Sequence, residues 1–185
     1  LHCTDMNHLN VAYLAKTMSR LRILAFGVIS KKSTLGDYRK MIEGKKQAQD
    51  YYNKCSQYLF ELVAMFAASM DWDQQTLDII LGKGGHDYQR LAHYLGAIAN
   101  KPIDSRAAKL YHLSPFIINA KNKADEPALA VADLIAYALH KSFCSENNRL
   151  RLTEQRYLRE IKSNFYKHPQ NSQIANHGIK FIKGP

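Results

Sequence analysis

A chain of 185 residues that is 46% hydrophobic and 23% charged has the composition of an ordinary soluble globular protein, long enough for one domain with a sizeable core. Its longest apolar runs stop well short of a membrane span, and no stretch joins a basic start, an apolar middle and a small-residue cleavage site. Lys and Arg outnumber Asp and Glu by 26 to 16, and the resulting net charge of +10 favours a polyanionic partner such as nucleic acid.

Cys3, Cys55 and Cys144 are odd in number, far apart and in no metal-ligand spacing. They read as reduced, mostly buried thiols of a cytoplasmic protein. The chain opens at Leu1 in the middle of a pattern, which gives the expectation of a fragment lacking its natural beginning.

Residues 7–20 read as a helix with Leu9, Val11, Leu14, Ala15 and Met18 on its inner face. Residues 21–29 (LRILAFGVI) form a continuous apolar run, as in a strand covered on both faces. Residues 35–70 are predicted helical, in two pieces broken near Gly44. The second piece has a core stripe of Tyr52, Cys55, Leu59, Leu62, Val63, Phe66 and Met70. Residues 71–73 make a turn and 76–81 a second strand. Residues 87–99 make a helix with Leu91, Tyr94, Leu95 and Ile98 inside, and 113–119 a third strand that Pro115 shortens. Residues 125–140 form a helix with Pro127 in its first turn, Asp125 or Glu126 as cap, and Val131, Leu134, Ile135, Ala138 and Leu139 as its apolar stripe. A basic helix over about 153–166 and a Pro-, Asn- and Gly-containing tail close the chain. Strands alternating with helices imply an α/β layer architecture with partly parallel neighbours, and no repeat or linker divides residues 1–185.

The run Gly82-Lys83-Gly84-Gly85 lacks both the Walker spacing and the Rossmann glycine spacing. It reads as a tight connection, from which Lys83 could touch a backbone phosphate. Eight histidines stand in no zinc spacing, and no Gly-x-Ser-x-Gly elbow is present. From Arg149 onward, eight cations, among them Arg149, Arg151 and Arg156, oppose only Glu154 and Glu160. Residues 146–185 therefore read either as a solvated basic helix and tail, or as a flank adding salt-sensitive, sequence-independent affinity for phosphates.

Two carboxylates carry the chemical question. Asp5 precedes the first helix and is either its cap or a ligand. Asp133, between Ala132 and Leu134, sits at the apolar boundary of its helix, where an unpaired carboxylate is costly and needs a cation, a donor network or water. Two carboxylates about 4 Å apart repel by roughly 4 kcal/mol at an effective dielectric of 20. A shared Mg²⁺ or Mn²⁺ reverses that balance, which is the logic of metal-dependent phosphodiester cleavage.

LHCTDM at the start, LDIILGKGGHDYQRLAHYL, ALAVADLIAYAL and the closing GIKFIKGP together resemble, in order and over most of the chain, the family called domain of unknown function 3800. The resemblance implies an α/β, ribonuclease H-like mixed sheet flanked by helices, with an acidic metal-binding centre. Asp133 matches the acidic residue of that family's last helix, and His2 and Asp5 match its first-helix region. Asn119 stands where members often have aspartate, Ala130 where they often have glutamine, and Gly82 near a position that many members fill with an acid. The family's opening Asp-Glu-Ser strand does not occur in these 185 residues. The implied reading is a divalent-metal-dependent nuclease-like domain acting on DNA or RNA. In it Asp5 and Asp133 are catalytic, Asp5, Asp133, His2 and Asn119 hold Mg²⁺ or Mn²⁺, and Lys83, Arg149, Arg151 and Arg156 position the strand. The alternative is a catalytically degraded nucleic-acid-binding or protein-interaction module of the same fold. A missing strand also implies an exposed apolar sheet edge.

Overall fold

Asn7 starts the first helix because its side chain accepts the Asn10 N–H at 2.9 Å, satisfying one of the donors that a helix start leaves unpaired. That helix, α1, runs His8–Met18 in the computed structural model, which describes residues 3–30, 45–72, 77–144 and 153–182. Val11, Ala15 and Met18 form its buried stripe, whereas Leu9 is 78% exposed and Leu14 lies outside as well. The expected inner face was thus too wide by two residues, Leu9 and Leu14.

The remaining elements are β1 Gly27–Ser30, α2 Lys45–Ser69, β2 Ile79–Gly82, α3 Tyr88–Asn100, α4 Ser105–Ala108, β3 Ile118–Lys121, α5 Ala128–Phe143, α6 Arg156–Ile161 and β4 Ile179–Ile182. The architecture is mixed α/β, with small parallel sheets and flanking helices. β1 pairs in parallel with β4 in the register Gly27↔Ile179 to Ser30↔Ile182, and β2 pairs in parallel with β3 from Ile79↔Ile118 to Gly82↔Lys121. Both sheets have two strands among the described residues. The strands are shorter than the apolar runs that announce them. Of 21–29, only Ala25 joins the ladder ahead of β1, through a bridge to Phe165. β4 lies within the tail, where no strand was expected.

The described residues gather into two compact units. One takes those of Leu1–Lys31 and Lys123–Ile182, the other those of Lys32–Asn122. The first unit packs α1, α5, α6, β1 and β4 around Val11, Ala15, Leu134, Ala138, Ile161 and Phe165. Gly178 is required here because a Cβ would stand 2.5 Å from the Tyr166 carbonyl oxygen. In α5 the helix begins behind Pro127, whose missing N–H needs no partner at that place, and no side chain caps it. Leu134, Ala138 and Leu139 are buried as expected. Val131 and Ile135 are half-buried, and Leu129 and Ser142 complete the stripe.

The second unit packs α2, α3, the 3₁₀ turn Lys109–Leu113 and β2–β3 around Phe60, Ala64, Leu91, Leu95, Leu110 and Leu113. The buried face of α2 differs from the expected one. Asn53, Gln57, Glu61 and Ala64 are buried with Phe60, Leu62 and Ala67, while Leu59 and Phe66 are half-buried and Met70 is exposed. The polar members are satisfied along the helix and across to α3. Gln49 Nε2 donates to Asn53 Oδ1 at 2.7 Å, Gln57 Nε2 to Glu61 Oε1 at 2.6 Å, and the Tyr94 hydroxyl to Gln57 Oε1 at 2.7 Å. Buried polar groups are tolerated when paired in this way. The expected break of this helix near Gly44 lies outside the described residues.

Candidate functional site

Asp133 projects from α5 toward the opening 3₁₀ turn Cys3–Asp5, and the Cys3 N–H donates to its Oδ2 at 3.4 Å. Lys123, in the turn between β3 and α5, brings Nζ to 3.0 Å from the same oxygen. Both side chains are a little over a quarter exposed, at 27% and 29%, so water screens the pair only in part. Burial pushes the Cys3 thiol above its ordinary pKa, and the nearby Asp133 charge adds to that. The carboxylate at the apolar boundary therefore has the cationic company that its position demands. The cation is the Lys123 ammonium, and the Cys3 peptide N–H donates beside it.

Asp5 is exposed in the same turn, where it accepts the Thr4 hydroxyl at 3.3 Å. It does not cap α1, since Asn7 does. The structure thus brings the Asp5-bearing turn to Asp133, with Cys3 as the point of contact. His2, Arg149 and Arg151 lie outside the described residues. Asn119 is exposed on β3, opposite Ile80 in the ladder of the second unit. Lys83 follows β2 in that unit, exposed, with its N–H on the Lys121 carbonyl at 2.7 Å. Gly82 and Gly85 beside it have open space where a Cβ would stand. Among the described residues no three His, Cys, Asp or Glu side chains form a group that could hold a metal ion. Of the four expected ligands, Asp133 carries Lys123 on its Oδ2 and His2 lies outside the described residues.

Arg156, expected to meet phosphate, is engaged within the first unit instead. Its Nε donates to the two Glu154 oxygens at 3.0 and 3.2 Å, and its terminal nitrogen lies 2.8 Å from Glu154 Oε2. These bonds hold the Glu154 carboxyl down at about 2, and the Arg156 backbone N–H adds to them. The His8 ring sits between the Arg156 guanidinium and the Tyr157 hydroxyl, and Glu154 faces it at 3.5 Å. This cluster ties the start of α6 to the start of α1.

The two paired helices and the residues that follow them carry exposed cations, of which Lys16, Arg20 and Arg22 lie outside the basic flank expected over residues 146–185. His8 lies against Tyr157 at one end of the α1–α6 pair. At the other end the Asn164 side chain donates to the Leu21 carbonyl at 3.2 Å, so the two helices run side by side in the same direction. Lys16, Arg20 and Arg22 on one chain segment and Arg159 and Lys162 on the other are all exposed. None of them makes an ion pair among the described residues. The available signal was the i, i+4, i+6 spacing of Lys16, Arg20 and Arg22 as the apolar stripe of α1 ends.

Comparison of the chain with protein-family models, with curated proteins and with solved structures finds no match. Among the described residues no helix is long and apolar enough to cross a membrane.

Proposed function

We propose that this chain is a nucleic-acid-binding domain, related in fold to the ribonuclease H-like proteins that its motifs resemble, which holds phosphates without cleaving them at Asp133. The observation that carries the reading is a set of exposed cations on the α1–α6 pair and the residues that follow each helix: Lys16, Arg20, Arg22 and Lys162 are exposed and unpaired among the described residues. Cations that are not neutralised internally are free to displace the counterions of a phosphate backbone, a sequence-independent source of affinity. The Lys123–Asp133 pair supports the absence of turnover, because an ammonium neutralises the carboxylate that a metal would otherwise need.

The test is fluorescence anisotropy with labelled single- and double-stranded DNA and RNA over a range of salt. Binding is expected to weaken linearly in log salt. The double substitution Arg20→Gln/Arg22→Gln is expected to flatten that slope by roughly 1 to 2, one step for each phosphate that the protein no longer neutralises. No binding at low salt transfers the chain to the protein-interaction class.

A second reading, metal-dependent phosphodiester cleavage, is favoured by one observation: the Asp5-bearing turn packs on α5 beside Asp133. Cleavage of the same oligonucleotides that needs Mg²⁺ or Mn²⁺ and disappears in Asp133→Asn would establish it over the binding module.

A further inference from the structure

The first unit contains a cavity of about 360 Å³ between α6, the end of α5 and β4. This is at the lower end of the roughly 300–1,000 Å³ typical of small-molecule sites. Its floor is Phe165 and Ile179, which are 1% and 7% exposed. Leu158 forms one wall and Phe181 another, and Phe143 meets the Phe181 ring edge-on with centroids 5.0 Å apart. Phe181 is nevertheless 44% exposed, so an aromatic face is left toward the opening.

Two cations stand at the rim. Arg159 and Lys162, one helical turn apart, line the cavity, are exposed, and pair with no acid among the described residues. We propose that this cavity binds a small amphipathic organic anion, an acyl or aryl carboxylate or sulfonate, with its apolar body on Leu158, Phe165 and Phe181 and its charged head between Arg159 and Lys162. Charge complementarity selects the head, since two unpaired cations at one mouth favour a single anionic group over a neutral ligand. The lining selects the body. Among the described residues Gln155 is the one uncharged polar side chain lining it, so the several donors and acceptors of a nucleobase edge would find few side-chain partners there, at a cost a hydrocarbon or plain aryl body avoids. The assignment shares Lys162 with the nucleic-acid reading and otherwise stands on the cavity lining.

The probes are 1-anilinonaphthalene-8-sulfonate and its uncharged relative N-phenyl-1-naphthylamine, titrated into the full chain by fluorescence, with decanoate as competitor. The sulfonate is expected to bind saturably at one site per chain and to be displaced by decanoate. Leu158→Trp, which fills the cavity, is expected to weaken it about tenfold or more. Ala175→Trp does the same from an exposed rim position and keeps the test open if Leu158→Trp does not fold, judged by near-ultraviolet circular dichroism. Arg159→Gln/Lys162→Gln is expected to weaken the sulfonate about tenfold while moving the uncharged probe by less than about twofold. The proposal is overturned by non-saturable binding, by indifference to both Trp substitutions, or by equal losses for the two probes. It also falls if a single-stranded oligonucleotide displaces the uncharged probe, or if light scattering finds a dimer that Leu158→Trp dissociates. The first of those assigns the cavity to nucleic acid and the second to a second copy of the chain.

Discussion

Lys123 Nζ lies 3.0 Å from Asp133 Oδ2, the same oxygen that the Cys3 N–H reaches at 3.4 Å. An acid in an apolar helix is thereby neutralised from the turn that precedes the helix and tied to the opening turn of the chain. If the pair is what makes Asp133 tolerable, its worth is a coupling between the two residues rather than a property of either. A double-mutant cycle of Lys123→Met and Asp133→Asn, read by urea unfolding, is expected to give a coupling of about 1 kcal/mol, the upper end for a partly exposed pair. Lys123→Met alone is the more damaging single change, because it removes the ammonium and leaves the carboxylate's charge uncompensated by it. Coupling below about 0.3 kcal/mol would show that the acid does not depend on Lys123.

The Glu154–Arg156 pair makes a pH prediction whose sign follows from the direction of the shift. Hydrogen bonds from Arg156 lower the Glu154 carboxyl from 4.5 to about 2 in the folded state. Folding therefore favours the ionised form. The stabilisation from this group is complete above the unfolded value of 4.5 and disappears as the pH falls through about 2. Urea unfolding of the parent and of Glu154→Gln at intervals between pH 7 and pH 2 should show a constant difference above 4.5 that shrinks to nothing at the acid end. A difference that persists unchanged at pH 2 contradicts it.

Backbone approach sets a third expectation. A Cβ on Gly178 would stand 2.5 Å from the carbonyl oxygen of Tyr166, which belongs to the main chain and cannot swing aside, whereas Gly82 has open space at that position. Gly178→Ala is expected to cost about 1–3 kcal/mol by overpacking, and Gly82→Ala to stay within about 0.5 kcal/mol. Equal costs in thermal or urea unfolding would mean that the β4 entry relaxes freely.

Several features are legible in the amino-acid order alone. Pro127 and the Leu134, Ala138, Leu139 stripe locate α5 because helix-start chemistry and periodicity agree there. Asp133 is recognisable as an acid needing a partner. The partner's identity is not, because Lys123 lies ten residues upstream in a turn and no periodic rule links the two. Arg156 counts as free charge in the sequence although Glu154, two residues before it, is the acid that takes it up. β4 escapes notice because IKFI is four residues long inside a run of Asn, His and Gly, and it becomes a strand only through the ladder with β1. The family resemblance rests on the quoted motifs, and the parallel pairing of both sheets is the part of the architecture that α/β alternation anticipates.

The face of α2 is where hydropathy misleads most, and it supplies the last prediction. Counting only apolar side chains puts Leu59 and Met70 inside. The helix instead buries Asn53, Gln57 and Glu61, spaced four apart, because each finds a partner on the helix or on α3. Replacing Gln57 by Met keeps the volume roughly constant but removes the donor to Glu61 and the acceptor for the Tyr94 hydroxyl, so it is expected to cost about 2 kcal/mol or more. Tyr94→Phe removes one hydroxyl and should cost about 1 kcal/mol. Leu62→Ala, at a side chain 1% exposed, should lose about 2–5 kcal/mol. Leu59→Ala, half-buried, should lose markedly less. Urea unfolding of the four variants orders them. Leu59→Ala costing as much as Leu62→Ala, with Gln57→Met near neutral, would restore the apolar stripe as the inner face and refute the buried polar ladder.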